Sequence, residues 1–440
     1  MQVIKVEPGV RLTGECRLPG DKSISHRAAL LGAIAEGQTE IENFLCGADC
    51  LSTLGCLKAM GVGISQDNGH VRICGSGLRG LQEPGHILDA GNSGTTMRLL
   101  LGILSGQNFF SVLTGDDSLR GRPMGRVIKP LLQMGAQIWG RESGLKAPLA
   151  IMGKGRLEPL AYQLPVPSAQ VKSALLLAGL YARGDTLVIQ PLPSRDHTER
   201  MLQAFGACLQ VEQDGSVRIT GGSSLHGRLV QVPGDISAAA FLIVAATLIP
   251  GSDILIRDVG VNPTRTGVLD VLVQMGANCT LHNERFWSGE PVADLRVRFS
   301  RLRGVEIGGA LIPRLIDEIP AIAVAAVMAE GVTVIRDAAE LRVKETDRIE
   351  AIVKELGRLG AELVSLPDGL SIQGGKTLKG AAVDSWGDHR LAMALAVAGL
   401  VTASGATVIG DTACTDVSFP GFSSLLSGLG VVVEQYEARE

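Results

Sequence analysis

The stretch Leu131-Leu132-Gln133-Met134-Gly135-Ala136-Gln137-Ile138-Trp139 joins a run with helical spacing to a run with strand character, and a glycine stands at the join. A helix that ends this way puts its C′ residue at positive φ, where glycine carries no Cβ penalty. The same signature, an apolar residue followed by Gly and usually a small residue, recurs at Met60-Gly61-Val62, Phe205-Gly206-Ala207, Met275-Gly276-Ala277, Leu359-Gly360-Ala361 and Leu429-Gly430-Val431. The six glycines stand 74, 71, 70, 84 and 70 residues apart. One copy is an ordinary helix end; six at a near-constant period predict six copies of a unit of ~70 residues made of helices and strands.

Roughly 40 residues ahead of each glycine, a polar turn opens a second and more apolar helix. The six openings are Asp21-Lys22-Ser23-Ile24-Ser25-His26-Arg27, Asn92-Ser93-Gly94-Thr95-Thr96, Pro167-Ser168-Ala169-Gln170, Pro233-Gly234-Asp235-Ile236-Ser237, Ile316-Asp317-Glu318-Ile319-Pro320 and Gly387-Asp388-His389-Arg390. The helices that follow, such as 391–401 and 321–328, are apolar on nearly every face and are expected to be buried. Each unit therefore reads as buried helix, strand, amphipathic helix and further strands, an α/β fold. Six units divide naturally into two domains of three, 20–232 and 233–440, with residues 1–19 supplying a strand to the second. If the buried helices of a domain run parallel, their N-termini gather at one end, where free N–H groups and helix dipoles favour anions.

Composition narrows the function. The chain has 440 residues, enough for two or three domains, and 41 Lys+Arg against 45 Asp+Glu give a net charge of -4. That balance argues against a polyanion binder, and an aromatic content of 3% leaves few stacking platforms for nucleic acid. The longest apolar runs, such as Ala238 to Ile249, fall short of the ~18–20 residues of a membrane span, and Met1-Gln2-Val3-Ile4-Lys5 does not begin a signal peptide. A soluble, cytoplasmic protein is expected. The cysteines at 16, 46, 50, 56, 74, 208, 279 and 414 form no CxxC pair and the seven histidines are scattered, so no metal is expected and the thiols read as reduced and mostly buried.

Among charged residues, Lys22 and His26, like Ser23 and Arg27, are four apart and share a helical face. Cations in the first turn of a helix oppose its dipole, which points to an anionic partner. Arg120 and Arg122 lie in a loop, where an isolated arginine is usually surface decoration. Arg342-Val343-Lys344-Glu345-Thr346-Asp347-Arg348 is expected to open a helix with Lys344 and Arg348 on one face. Asp317, in an otherwise apolar helix opening, and Glu345, between two bases, are caps or ion-pair partners on the plainest reading, and together they offer two acid/base groups. No Walker sequence, no GxGxxG after a strand and no GxSxG elbow is present.

Gly20-Asp21-Lys22-Ser23 with Ser25-His26-Arg27, Gly91-Asn92-Ser93-Gly94-Thr95, Gly121-Arg122-Pro123, Ser168-Ala169-Gln170, Arg342 to Arg348, and Asp388-His389-Arg390 together resemble the 5-enolpyruvylshikimate-3-phosphate synthases, the 3-phosphoshikimate 1-carboxyvinyltransferases. Six motifs in order over essentially the whole chain make the resemblance specific. It implies two domains, each of three βαβαββ units. It also implies transfer of the enolpyruvyl group of phosphoenolpyruvate to the 5-hydroxyl of shikimate 3-phosphate, a step towards chorismate and the aromatic amino acids, with no metal or organic cofactor. Carried over by motif, Lys22, Ser23, Arg27, Ser168, Gln170, Asp317 and Lys344 would hold shikimate 3-phosphate, with Ser194 a further contact for its phosphate. Lys22, Gly94, Arg122, Gln170, Arg348 and Arg390 would hold phosphoenolpyruvate. Asp317 would accept the hydroxyl proton, Glu345 would protonate the methylene carbon, and Lys22 would join them in catalysis. The expected partners are these two small anions, with neither nucleic acid nor membrane, and the chain is expected to act as a monomer.

Departures also carry information. Arg195-Asp196-His197-Thr198-Glu199, Ser168-Ala169-Gln170-Val171-Lys172 and Asn262-Pro263-Thr264-Arg265 resemble the marks of the family's class II, often tolerant of glyphosate, whereas Gly94 is the residue associated with sensitivity. Val417 stands where class I members carry a phosphoenolpyruvate-binding lysine. The sister transferase acting on UDP-N-acetylglucosamine carries a cysteine in the loop before its Arg-Pro, where this chain has Asp117, and lacks the Ser25-His26-Arg27 pattern. A non-catalytic anion binder on the same scaffold could dispense with Asp317 and Glu345, and both are present.

Overall fold

In the computed structural model, which describes residues 1–437, all six signature glycines have positive φ, from +81° at Gly61 to +105° at Gly276. Each follows the second helix of a repeat. The first repeat contributes α1 (Lys22–Ile34) and α2 (Ala48–Ala59), the second α3 (Gly94–Ser105) and α4 (Gly125–Gln133), the third α5 (Ala169–Gly179) and α6 (His197–Ala204). The fourth contributes α7 (Ile236–Leu248) and α8 (Gly267–Met275), the fifth α9 (Ile319–Met328) and α10 (Arg348–Arg358), the sixth α11 (His389–Leu400) and α12 (Phe422–Gly428).

The odd-numbered helices are the buried ones. Every residue of α11 is buried, and in α7 and α9 only the last residue is not. Five of these six helices are capped by the side chain that opens them: Asp21, Ser93, Ser168, Asp235 and Asp388 each accept from a backbone N–H in the first turn. The sixth, α9, follows Glu318, whose side chain makes no cap bond.

Each repeat builds one four-stranded sheet, and in all six sheets the first pair of strands is parallel and the second antiparallel. Leu88–Asp89, Phe110–Thr114, Lys146–Met152 and Gln137–Gly140 make the pattern visible in the second repeat, whose order along the chain is βαβαββ apart from two short helical turns. Two sheets are completed by distant chain. Leu229–Gln231 pairs parallel with Glu36–Glu42 and closes the first repeat's sheet. Residues 1–19 supply two strands rather than one: Thr13–Arg17 opens the fourth repeat's sheet beside Asp253–Gly260, and Gln2–Val6 lies between Thr407–Gly410 and Val433–Glu437 in the sixth. The latter fills the place that a final strand takes in the other repeats.

The described chain falls into two compact units, one of residues 20–232 with Phe286–Glu290, the other of residues 1–19, 233–285 and 291–437. The short segment 286–290 thus departs from the sequence division at 232. Its side chains explain why: Glu290 Oε1 lies 2.8 Å from His197 Nδ1, both buried, and Ser288 Oγ accepts from Gln231 N at 3.1 Å. Each unit has its own apolar core. In the first, α3 and α5 cross so closely that a Cβ on Gly102 would overlap the Ala174 carbonyl oxygen. In the second, Phe241 of α7 meets Phe422 edge-on at 6.4 Å between ring centroids.

The cysteines correct one expectation. All eight are free thiols, but only Cys50 and Cys56 are buried, and Cys74 and Cys208 are exposed. Cys74 lies on the strand His70–Ser76, where Val71 and Ile73 face the core and the alternation turns Cys74 outwards. Among the described residues, no helix is long and apolar enough to cross a membrane, and no three His, Cys, Asp or Glu side chains gather as a metal site requires.

Candidate functional site

In the unit of residues 20–232, the first turns of α1, α3 and α5 are tied together by side chains. His26 Nδ1 lies 2.7 Å from Thr53 Oγ1, Thr53 lies 2.6 Å from Thr96 Oγ1, and Thr96 donates to Ser93 Oγ at 2.7 Å. His26 is fully buried, and burial pushes its pKa down to about 3, so the ring is a neutral member of the core rather than a ligand group. Arg27 is also buried. Its Nε donates to Thr198 Oγ1 at 2.6 Å, Nη1 to the Ser23 carbonyl at 2.9 Å and Nη2 to Ser173 Oγ at 2.8 Å. Lys22 forms an ion pair with Asp49 in the first turn of α2, which offsets the charge that the helix dipole opposes.

A second group surrounds Gly94. Arg98 Nη1 donates to Gln170 Oε1 at 2.6 Å, and Gln170 Nε2 donates to Thr95 Oγ1 at 3.0 Å. Arg122 Nη2 donates to Asn92 Oδ1 at 2.6 Å. A Cβ on Gly94 would stand 2.8 Å from Arg98 Nη1 and 3.6 Å from Arg122 Nη1. The sequence reading missed Arg98, although it carries the signal used for Lys22, a cation near the start of a buried helix.

Ser168 serves as the cap of α5, accepting from Val171 N at 3.4 Å. Ser194 is buried, with Oγ donating to Gln190 Oε1 at 2.9 Å and its carbonyl accepting from Lys172 Nζ at 3.1 Å. Arg120 pairs with Asp117. Within the segments that resemble class II, several residues are interior ties: Thr198 holds Arg27, Glu199 pairs with fully buried Lys172 at 2.6 Å, and Arg265 reaches Asp235 at 3.1 Å and Ser237 Oγ at 2.6 Å at the start of α7.

In the other unit, the first turns of α7, α9 and α11 also meet. Ser237 donates to buried Glu318, and Arg390 Nη1 lies 3.8 Å from Glu318 Oε1. Asp317, 13% exposed, has Arg348 Nη1 at 3.3 Å, Lys344 Nζ at 3.4 Å and Arg390 Nη2 at 3.9 Å. Glu345, 23% exposed, accepts from Arg348 Nη2 at 2.6 Å. Arg348 is buried and also grips Asp388 through Nε at 2.7 Å. Burial works against the Arg348 charge, but Asp388, Glu345 and Asp317 outweigh it and hold the guanidinium above its ordinary pKa. Asp388 is held below the usual carboxylate range because Arg348 outweighs the effect of burial.

One local expectation fails. Lys344 and Arg348 do not share a helical face, because α10 begins only at Arg348, where Asp347 Oδ1 accepts from Ile349 N and Glu350 N. Lys344 follows the short 3-10 turn Ala339–Val343 with extended backbone, and it reaches Asp317 from that loop. The result is two partly exposed carboxylates, Asp317 and Glu345, among three cations.

The whole chain has clear relatives. A family model described as EPSP synthase (3-phosphoshikimate 1-carboxyvinyltransferase) matches residues 6–426. The 3-phosphoshikimate 1-carboxyvinyltransferase of Citrifermentans bemidjiense is 58% identical over 429 residues, covering 98% of this chain and 99% of that protein. That of Pelotomaculum thermopropionicum is 59% identical over 418 residues, covering 94% and 96%. The solved EPSP synthase from Acinetobacter baumannii superimposes with a TM-score of 0.89 at 45% identity, covering 99% of this chain and 100% of that one. With its sixfold repeat, its clustered charges at the helix openings and these matches over nearly its full length, the chain belongs to the EPSP synthase family.

Proposed function

We propose that this chain transfers the enolpyruvyl group of phosphoenolpyruvate to the 5-hydroxyl of shikimate 3-phosphate and releases inorganic phosphate. The observation that carries the reading is Arg348 with Asp317 at 3.3 Å and Glu345 at 2.6 Å, two partly exposed carboxylates fixed on one buried cation. The 5-hydroxyl oxygen adds to C2 of phosphoenolpyruvate while Asp317 takes the hydroxyl proton and Glu345 gives a proton to C3. Glu345 then takes a proton back from the new methyl group as the C2–O bond to phosphate breaks and the enol ether double bond forms, and the proton held by Asp317 leaves with the phosphate.

Lys22, Ser23, Arg27, Ser168, Gln170, Ser194, Asp317 and Lys344 are assigned to shikimate 3-phosphate, and Lys22, Gly94, Arg122, Gln170, Arg348 and Arg390 to phosphoenolpyruvate. Forked guanidinium donors suit carboxylate and phosphate, and cations placed where negative charge develops supply the largest electrostatic contribution.

The test is steady-state phosphate release. Release that requires both substrates supports the reading. Release with UDP-N-acetylglucosamine in place of shikimate 3-phosphate favours the sister reaction, and binding of both anions without release favours a non-catalytic binder.

A further inference from the structure

The turn that leads into α11, Asp384-Ser385-Trp386-Gly387-Asp388, has the same form as Asp89-Ala90-Gly91-Asn92-Ser93, which leads into α3. Each ends on the helix cap, and each is pinned by its first aspartate: Trp386 N donates to Asp384 Oδ1 at 2.6 Å, and Gly91 N donates to Asp89 Oδ1 at 2.8 Å. The middle residue has φ +56° in both. Glycine adopts that conformation without penalty, whereas for a bulky residue it is an outlier that persists only when its surroundings fix it.

Trp386 is fixed from α10. Its Nε1 donates to Glu355 Oε1 at 2.9 Å, and Lys354 Nζ stands 4.6 Å from the centre of its ring. Glu355 is completely buried, and its other oxygen accepts from Asp384 N and from Arg358 Nη1, each at 3.1 Å. Glu355 lies seven residues after Arg348 on the same helix, a spacing that keeps both on one face. One face of α10 therefore holds this five-residue turn at both ends: Glu355 holds Asp384 and Trp386, and Arg348 holds Asp388.

We infer that Glu355 and Trp386 form a positioning clamp that sets Asp388 and, through it, the Arg348 guanidinium and the start of α11 that carries Arg390. Neither clamp residue is assigned to a substrate. The inference rests on the reading that Arg348 and Arg390 serve phosphoenolpyruvate, and it makes the clamp a determinant of affinity for that substrate in particular.

The test is the Michaelis constant for each substrate, measured by phosphate release. Glu355→Leu removes the acceptor and should raise KM for phosphoenolpyruvate by about tenfold while KM for shikimate 3-phosphate stays within about twofold. Glu355→Gln keeps one acceptor oxygen, enough for Trp386 Nε1–H or for Asp384 N–H but not for both, and should raise KM for phosphoenolpyruvate by less than Glu355→Leu does. Trp386→Phe keeps a ring and loses the N–H, and should shift KM for phosphoenolpyruvate in the same direction by about threefold, which serves even if Glu355→Leu does not fold. If active variants raise both KM values in equal proportion, or leave that for phosphoenolpyruvate unchanged, the clamp is overturned and Glu355 is a general packing residue. If the unsubstituted chain releases no phosphate from the two substrates, the functional reading falls first and takes the clamp's role with it.

Discussion

Arg348, the first residue of α10, donates from Nε to Oδ2 of Asp388, the cap of α11, at 2.7 Å, and both side chains are buried. Asp388 does two further things with its other oxygen: it accepts from Arg390 N at 2.8 Å and from Leu391 N at 3.3 Å. Removing the carboxylate strips a buried cation of one partner and a buried helix of its cap. Asp388→Ala should lower unfolding stability by about 3 kcal/mol, within the range for breaking one side of a buried ion pair. Urea unfolding measures this, and a loss below about 1 kcal/mol would mean that Glu345 and Asp317 suffice for Arg348.

Asp317 and Glu345 are predicted to carry the proton transfers. Asp317→Asn and Glu345→Gln should each lower kcat by roughly 10²–10⁴-fold, the usual range for a positioned acid or base, with much smaller effects on KM. Either variant retaining near-normal kcat at saturating substrates removes that residue from its role.

The legible parts of this molecule were those written in local pattern. The six helix-ending glycines needed only their period and their neighbours to be read, and each has the expected positive φ. The helix openings were readable as caps because Asp21, Ser93, Ser168, Asp235 and Asp388 make short-range bonds to their own helix. What sequence could not give was the inward turn of His26 and Arg27. Their partners Thr53, Ser173 and Thr198 lie 27, 146 and 171 residues away, so only tertiary packing decides that they face the interior. Lys344 fell outside the helix for a local reason, because the cap at Asp347 starts α10 only at Arg348.

Gly94 faces two guanidinium groups. An alanine Cβ there meets Arg98 Nη1 at 2.8 Å, so Arg98 must swing and its bond to Gln170 must lengthen. In the proposed site the longer glyphosate suffers more from this than phosphoenolpyruvate does. Gly94→Ala should raise the inhibition constant for glyphosate by a larger factor than KM for phosphoenolpyruvate, and equal factors in a steady-state inhibition series count against the assignment.

Lys172 and Glu199 form a buried pair at 2.6 Å, with Lys172 fully buried and Glu199 3% exposed. Lys172→Met leaves a carboxylate without its cation in the core and should cost about 3–5 kcal/mol of stability. Removing both charges, as in Lys172→Met with Glu199→Leu, should recover most of that loss. Thermal or urea unfolding of the two variants decides whether the pair acts as a unit.

His26 gives the chain a pH dependence of stability that can be worked out in sign. Burial is the main cause of its lowered pKa; Asp49 pulls the value up, Lys22 and Arg27 push it down, and the ring titrates at about 3 in the folded chain. An unfolded histidine titrates near 6.5, so between these values the unfolded chain binds a proton that the folded chain refuses. The neutral ring's contribution is complete above pH 6.5 and is lost as the pH falls towards 3. Between pH 7 and pH 5 this amounts to ~2 kcal/mol. Urea unfolding at intervals across that range should show stability falling with pH in the unsubstituted chain and a shallower fall in His26→Gln. The slope is the readout rather than the level, because glutamine also replaces the contact between Nδ1 and Thr53. Equal slopes in the two chains would show that His26 is protonated in the fold at pH 5 and that its buried position is tolerated with charge.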